Sequence, residues 1–525
     1  MTAPVTSKSL PPDVTTLVPP AGGMSAAQAA AALRGAGFEV GRIEPVRRTL
    51  LDTFDGRLHA AGMRLEVRER GATELVLGGG GPVAHVAVVA APTSAADLPA
   101  GPVRARLGPL LDVRALRPVI SVTAQRAVAV RRDENNKAVV AVAMHDGLCA
   151  GSGAGLSDVW AAEVVAFEGY RRAARQAVRL LTSLGLEPRD GDVLDLAARD
   201  AGVDLRGFVD SPTVTLDPFE PAIGGFRRVL ANLADTVDAN WQGTVDDVDA
   251  EFLHDLRVAV RRTRSVLSHG KRVLPDEGRD NFGAAFRWLG TITSPPRDQD
   301  VYVIEWPGYV APLDAASTEA LAPVLDHLRG RRAHEHAVLA EHLGSARYGE
   351  LMATWRAWLA APLDEAAHPK RSMRPLGPLV ASRLTEAQDR LLARGRAIGP
   401  DTPAEELHEL RKDAKRLRYL LECFGGLLPA DARKPFVQRL KALQDNLGEH
   451  QDTEVHTAQL KALSQALHGT PGVTAETLVA MGRLTEIFDQ RRRDARALFA
   501  GRFSAYDTKQ TAKALGELLA AAGGR

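Results

Sequence analysis

Little in these 525 residues invites covalent or membrane chemistry. Cysteine occurs twice, at Cys149 and Cys423, too few for a disulfide framework and without the paired spacing of a zinc site, which suits a reducing interior. No window approaches the roughly 18 to 20 apolar residues of a membrane span, and residues 1–20 lack the basic-then-apolar layout of a signal peptide. The sequence therefore predicts a cytoplasmic protein with no membrane partner. Aromatics make up only 5% of the chain, and none interleave with basic residues as stacking platforms for nucleic acid would. Charge of one sign is also missing: the formal net charge is +1, a balance that can still conceal a focused basic channel.

What is present is Ala, Leu and Arg in quantity, with 45% hydrophobic and 25% charged residues, the composition of a globular protein in which helix dominates. The length suggests more than one domain. Residues 1–20, rich in Pro, Thr and Ser, read as a disordered lead-in. A helix is predicted over 25–37, then β-leaning runs at 48–53, 63–70, 74–77, 83–90, 119–131, 138–144 and 161–168, then a helix over 170–184. Residues 21–190 thus form a strand-dominated α+β domain. Its run 63–70 alternates, so Arg64, Glu66, Arg68 and Arg70 share one face. That face is the solvent side of an ordinary sheet, or the lining of a polar tunnel if the sheet closes. Glu163 and Glu168, five residues apart, are expected on opposite faces. The glycines at 78–81 read as a flexible hairpin, since no Lys-Ser/Thr follows them.

Residues 191–214, dense in Gly and Pro, read as a linker. From 215 to 525 the periodicity is helical, with segments at about 219–242, 246–274, 278–293, 314–344, 346–360, 376–398, 402–425, 431–467 and 476–520. Ser294-Pro295-Pro296 breaks the helical pattern, and the gap from Gly290 to Arg297 that contains it reads as an extended turn. Long helices and short loops imply bundles, with halves near 215–365 and 370–525.

Within this region one phrase occurs twice, 154 residues apart: His254-Asp255-Leu256-Arg257 through Arg264, and His408-Glu409-Leu410-Arg411 through Arg418. Both place a base at +3, +7, +8 and +10 from the histidine. At 100° per residue, His254, Arg257, Arg261 and Arg264 share one stripe, as do His408, Arg411, Lys415 and Arg418. An apolar stripe of Leu253, Leu256 and Val260, matched by Leu407, Leu410 and Ala414, borders each. Neither basic stripe carries a carboxylate of its own, a pattern that asks for an anion. Asp298, Asp300 and Asp452 follow the phrases and are expected to fix arginines as salt partners. His334, His336 and His342 are expected on exposed surface, because no acid or Cys completes a metal site.

This duplicated H-x-L-R-x-x-x-[RK]-R-x-R phrase, with Arg297-Asp298-Gln299-Asp300-Val301 and Leu447-Gly448 to Asp452 behind it, resembles the CHAD family, the conserved histidine α-helical domain. The resemblance implies two pseudo-symmetric helical bundles that bind inorganic polyphosphate in a basic groove between them. It implies as ligands His254, Arg257, Arg261, Arg262 and Arg264, then His408, Arg411, Lys412, Lys415, Arg416 and Arg418. Basic helices later in each half add Arg331, Arg332, Arg491 and Arg492. A row of cations at one-turn intervals, about 5.4 Å, suits such a chain. The histidines are expected to donate a hydrogen bond or to orient a neighbouring arginine.

Upstream, Asp52-Thr53-Phe54-Asp55-Gly56-Arg57-Leu58 and Gly62 to Arg68 resemble the CYTH proteins, the triphosphate tunnel metalloenzymes. The resemblance implies a β-barrel or tunnel. The family's metal-binding E-x-E-x-K strand has no counterpart in residues 14–20, and a tunnel lysine is missing after Leu77, so this CYTH-like domain is expected to be degenerate and non-catalytic. Arg64, Arg68, Arg126 and Arg131 could still hold phosphate. No cofactor, metal or catalytic residue is assigned. The expected function is non-catalytic polyphosphate binding, with association to polyphosphate granules. The alternatives are a metal-dependent tri- or polyphosphatase fed by the helical domain, and general polyanion or nucleic-acid binding.

Overall fold

The computed structural model describes residues 14–79, 82–151, 154–155, 160–208, 214–362 and 370–523. Contacts divide the chain into two units, residues 1–209 and 210–525. The first contains β1 (Val14–Val18), α1 (Ala26–Gly35), β2 (Glu39–Val40), β3 (Glu44–Asp52), α2 (Arg57–Ala60), β4 (Arg64–Arg70), β5 (Ala72–Gly78), β6 (Ala84–Val88) and α3 (Pro102–Leu111). It continues with β7 (Arg117–Arg132), β8 (Ala138–Ala150), β9 (Ala154–Gly155), β10 (Ala161–Ala166), α4 (Arg171–Ser183), β11 (Glu187–Arg189) and α5 (Val193–Asp200).

All its strands join one antiparallel sheet in the order β11-β1-β10-β8-β7-β3-β4-β5-β6, with β2 paired to β7 and β9 to β8 off that path. The sheet curls around a cavity of about 790 Å³. Its two end strands, β6 and β11, are not paired with each other among the described residues, so the barrel is incompletely closed. Alternation along β4 decides what faces inward. Leu65 and Val67 are buried against α2 and α3, whereas Arg64, Glu66, Arg68 and Arg70 line the cavity. The charged face of this strand is therefore a polar lining, not the ordinary solvent side. On the outside, α1 and α4 cover a second apolar layer that includes Leu33, Val140, Val164 and Leu181.

Two boundaries differ from those expected. Residues 14–18, assigned above to a disordered lead-in, are a strand held between β10 and β11; residues 1–13 lie outside the described residues. The stretch 191–214 is not all linker, because α5 buries Val193, Leu194 and Ala197 against β3 and β7 residues such as Leu50 and Ile120. Gly79 has φ +79°, and a Cβ there would meet the Gly62 carbonyl, so its close approach to the α2–β4 turn needs glycine. Gly80 and Gly81 lie outside the described residues.

The second unit is helical: α6 (Ala222–Val245), α7 (Ala250–His269), α8 (Asp276–Ile292), α9 (Ser294–Val310), α10 (Ala315–Ala320), α11 (Ala322–Leu343) and α12 (Ala346–Ala360), then α13 (Leu376–Ala397), α14 (Ala404–Cys423), α15 (Ala430–Leu467), α16 (Ala475–Tyr506) and α17 (Lys509–Ala522). The stretch read as an extended turn is helical. Pro295 and Pro296 fall in the first turn of α9, where a missing N–H costs nothing.

The duplication is structural as well as textual. The offset of 154 that relates His254 to His408 also carries both ends of α7 onto α14 and the starts of α6 and α8 onto those of α13 and α15. The broken pair α8–α9 stands where the second half has one continuous helix. The halves also contact each other reciprocally. Ala222 N donates to Arg374 O and Leu376 N to Glu220 O, both at 2.9 Å, while Ile223 N reaches Ser372 O at 3.1 Å and Gly377 N reaches Pro218 O at 2.9 Å. In each pair the second bond is the first with the halves exchanged, which is the signature of a twofold relation. Apolar faces of α6, α7, α13 and α14 share one core around Phe226, Leu256, Leu410 and Phe424. A second core joins α9 and α11 to α15 and α16 through Tyr302, Tyr309 and Phe488.

Candidate functional site

The basic stripes of α7 and α14 lie along the twofold relation. Arg261 and Lys415, equivalent residues, face each other closely enough for Arg261 to depress the Lys415 ammonium, and Arg257 is influenced by Tyr419 of the opposite helix. Lys415 is drawn down to about 8, by burial first, then by Arg411 and Arg261. Burial and then Arg261 likewise draw Arg257 down to about 10, leaving it charged at neutral pH. Both shifts record cations gathered where solvent is scarce. Arg261 makes no ion pair among the described residues, and its Nε is buried without a hydrogen-bond partner.

Around this centre the two copies are held differently. Arg257 donates to the hydroxyls of Thr293 and Ser294, both at 3.0 Å, and so keeps its full charge uncompensated by direct bonding. Its equivalent Arg411 instead pairs with Asp452 at 3.0 Å. Asp298, which the offset of 154 aligns with Asp452, is pushed up by burial, with Arg257, Arg261 and Arg297 pulling it down. Arg418 donates to Gln444 at 3.0 Å and lies 3.1 Å from Glu422. A Cβ on Gly290, the counterpart of Gln444, would come within 2.9 Å of Arg264 Nη1. His408 Nδ1 donates to Gln451 Oε1 at 2.6 Å. His254 gathers with Glu251 and Asp255, their ligand atoms within 4.8 Å of one another, and Arg297 stands 3.9 Å from Glu251.

Other residues expected at the site are engaged elsewhere. Arg262 pairs with Glu422 at 2.9 Å, bridging α7 to α14. Arg332 is occupied by Asp247 at 2.6 Å and by fully buried Asp300 at 2.7 Å, so its donors tie α11 to α9. His336, expected on the surface, is buried, 2.9 Å from Asp300; His334 and His342 are exposed. Lys412 pairs with Glu409 at 2.6 Å, Arg491 with Glu449 at 2.7 Å and Arg492 with Asp489 at 3.4 Å. Arg331 is exposed. Arg416, off the stripe, lines a separate cavity with Ser268 and His269 and pairs with Asp413 at 3.0 Å. Asp452 and Asp300 do fix arginines, as expected, and Arg297 was legible only as part of a motif.

In the first unit the cavity is organised by Arg48, which no sequence pattern singled out. Its guanidinium is bonded to Glu66, donates to both oxygens of Glu163 at 2.9 and 3.0 Å, and reaches Asp192 at 3.0 Å. Asp192 caps α5 and also takes Arg64 at 2.7 Å; burial, with Glu163 and Asp195 nearby, pushes it up to about 6. His145 lies 3.1 Å from Glu163. Arg68 is bonded to Glu66 at 2.8 Å, whereas Arg126 has no carboxylate partner among the described residues and is lowered by burial and by Arg70. Arg131 is elsewhere, over the Phe38 ring and bonded to Gln176. Glu168 lies beyond the end of β10 and lines the same cavity as Glu163, so the two are not on opposed faces.

A divalent cation of the kind a phosphatase in this fold would use needs several carboxylate oxygens in open positions. The carboxylates that converge here, Glu66, Glu163 and Asp192, are all bonded to Arg48, so the residues do not fit a metal.

Fold and site together define an internally duplicated helical unit whose paired halves hold cations against one another at their shared axis. The family model of the CHAD domain matches residues 228–461, and the second unit therefore carries a CHAD domain. Among solved structures, the CHAD domain from the plant Ricinus communis is 26% identical, covering 56% of this chain and 96% of its own, with a TM-score of 0.47. PptA from Streptomyces chartreusis is 19% identical over 54% of this chain and 99% of its own, with a TM-score of 0.43. The PH1819 protein of Pyrococcus horikoshii OT3 is 14% identical over 36% of this chain and 97% of its own, with a TM-score of 0.24. No curated protein matches the chain. Among the described residues, no helix is long and apolar enough to cross a membrane.

Proposed function

We propose that the helical unit binds inorganic polyphosphate along the cations of α7 and α14 and that the protein acts by binding, not by catalysis. The observation that carries this reading is the meeting of Arg261 and Lys415 across the two halves, with Arg257 beside them bonded only to neutral groups. Cations held together out of solvent repel one another and are costly without a counter-charge. A linear polyanion supplies that charge at intervals that arginines on successive turns can meet. Lys adds a mobile point charge and Arg a fixed fork. Polyphosphate is favoured over nucleic acid because Tyr419, the tyrosine beside Arg257 and Arg418, is buried instead of presented for base stacking.

For the first unit we propose a non-catalytic role. Arg48 stands among the acids where metal-assisted hydrolysis would need a cation, while Arg126 offers the cavity an uncommitted charge for phosphate. Residence in the cytoplasm on polyphosphate granules follows as a further proposal. The test is competition binding with polyphosphate of defined length, RNA and DNA at two salt concentrations. Arg257→Glu combined with Arg411→Glu is expected to abolish polyphosphate binding with helicity by circular dichroism intact. Comparable affinity for RNA, or binding retained by the double variant, overturns the reading.

A further inference from the structure

The duplicated phrase carries a base at +8 that lies off the main stripe, and its two copies meet different fates. In the first half Arg262 is neutralised by Glu422 at 2.9 Å. With the halves exchanged, the partner of Arg416 is Ser268, which has no charge to offer. Arg416 instead opens onto a cavity of about 450 Å³ bounded by the end of α7, the turn after it, α13 and α14.

Cations dominate that cavity. Lys271, Arg272, Arg383, Arg390 and Arg416 line it, against Glu386 and Asp413. Both acids are already committed, Glu386 to Arg383 at 2.9 Å and Asp413 to Arg394 and Arg416 at 3.0 Å each. The Nε of Arg383 is buried with no hydrogen-bond partner. Arg272 adopts φ +69°, a backbone state that is costly for a non-glycine residue. The carbonyls ending α7 draw some positive charge to this end of the helix. A whole cluster needs more than one helix terminus.

The twofold-related position provides the control. The offset of 154 places Val229 and Thr236 opposite Arg383 and Arg390, and Gly425 and Gly426 opposite Lys271 and Arg272. Four cations at this cavity, two from each half, thus correspond to four uncharged residues at its twofold counterpart. The packing shared by the halves is achieved without these charges.

We propose that this cavity is a second anion site, separate from the groove, that takes a small multiply charged phosphate ion such as free pyrophosphate. Lys271, Arg272 and Arg390 make no ion pair among the described residues, and with Arg383 and Arg416 beside them they match its oxygens with forked and point-charge donors. His269, in the wall, reports occupancy: burial, then Arg383, Arg416 and Arg390, hold it down at about 4, while Glu386 pulls the other way. An anion seated among those cations cancels their effect, so its titration moves up toward the ordinary histidine range.

The experiment is titration of the full chain with pyrophosphate, followed by calorimetry and by the His269 ring resonances. Pyrophosphate is expected to shift His269 and raise its midpoint. Lys271→Gly with Arg390→Thr, which installs the residues of the twofold-related position, is expected to weaken pyrophosphate binding by roughly tenfold or more, the scale of a lost charge-assisted hydrogen bond, while long-chain polyphosphate still binds. In the Arg257→Glu, Arg411→Glu background pyrophosphate binding is expected to persist, which separates this site from the groove and a free ion from the end of a bound chain. An unmoved His269, affinity unchanged by the Lys271→Gly, Arg390→Thr pair, or loss of pyrophosphate binding with the groove variant each overturns the proposal.

Discussion

Arg48 donates from one nitrogen to both carboxylate oxygens of Glu163, at 2.9 and 3.0 Å, inside the curled sheet. This cation cannot leave, which sets it apart from any bound ion. Replacing Arg48 by Ala removes the cation that Glu66, Glu163 and Asp192 share, leaving them Arg68, His145 and Arg64, and is expected to cost the first unit about 3–5 kcal/mol, the range for half of a buried ion pair. Urea denaturation of the full chain checks it, and Mn²⁺ should restore part of the loss in the variant while leaving the parent's midpoint unmoved. The same network fixes the acid response. Burial would raise Glu66, but Arg48 and Arg68 hold it at about 2 against an ordinary 4.5. Its contribution is therefore complete above pH 4.5 and is lost as pH falls toward 2.

Lys415 gives polyphosphate binding a pH dependence of the opposite direction. Its folded titration lies at about 8, and an anion beside it favours the charged form. Affinity is expected to fall as pH rises through about 8, with proton uptake on binding at that pH. Lys415→Arg should flatten the profile between neutral and pH 9, measured by calorimetry in buffers of different ionisation enthalpy.

Salt dependence counts the contacts. Each phosphate neutralised should contribute about 0.7 log units of affinity per log unit of salt, by analogy with single-stranded nucleic acid. Arg261→Ala is expected to lower that slope by about one contact; an unchanged slope would place Arg261 outside the binding path.

Arg332 tests the reverse case, a base whose charge is already used. Arg332→Ala leaves Asp300, fully buried, with His336 as its remaining partner. The expected cost is about 3 kcal/mol of stability, with polyphosphate affinity unchanged under native conditions.

The sequence made the helices and most strands legible because each carries its own period. The charge pattern of Arg64, Glu66 and Arg68 was equally plain, but whether it faced water or a cavity depends on curling, which alternation along one strand does not encode. Arg48 escaped notice because the acids it binds, at positions 66, 163 and 192, are brought to it only by strand pairing and by the cap of α5. The doubled phrase pointed to the stripe of Arg257, Arg261, Arg411 and Lys415, since helical spacing alone brings those residues to one face. It could not tell that Arg262 and Arg332 turn to partners on different helices, nor that Arg416, paired with Asp413 of its own helix, opens onto a cavity walled by α7 and α13. The prolines at 295 and 296 misled for a local reason: they suggest a break, yet the first turn of a helix accepts them.

The reciprocal bonds between residues 218–223 and 372–377 relate the halves as the protomers of a symmetric dimer are related. Because both halves lie on one chain, they need not be identical. Glu422 opposite Arg262, and Ser268 opposite Arg416, are differences that a true homodimer could never hold at one time.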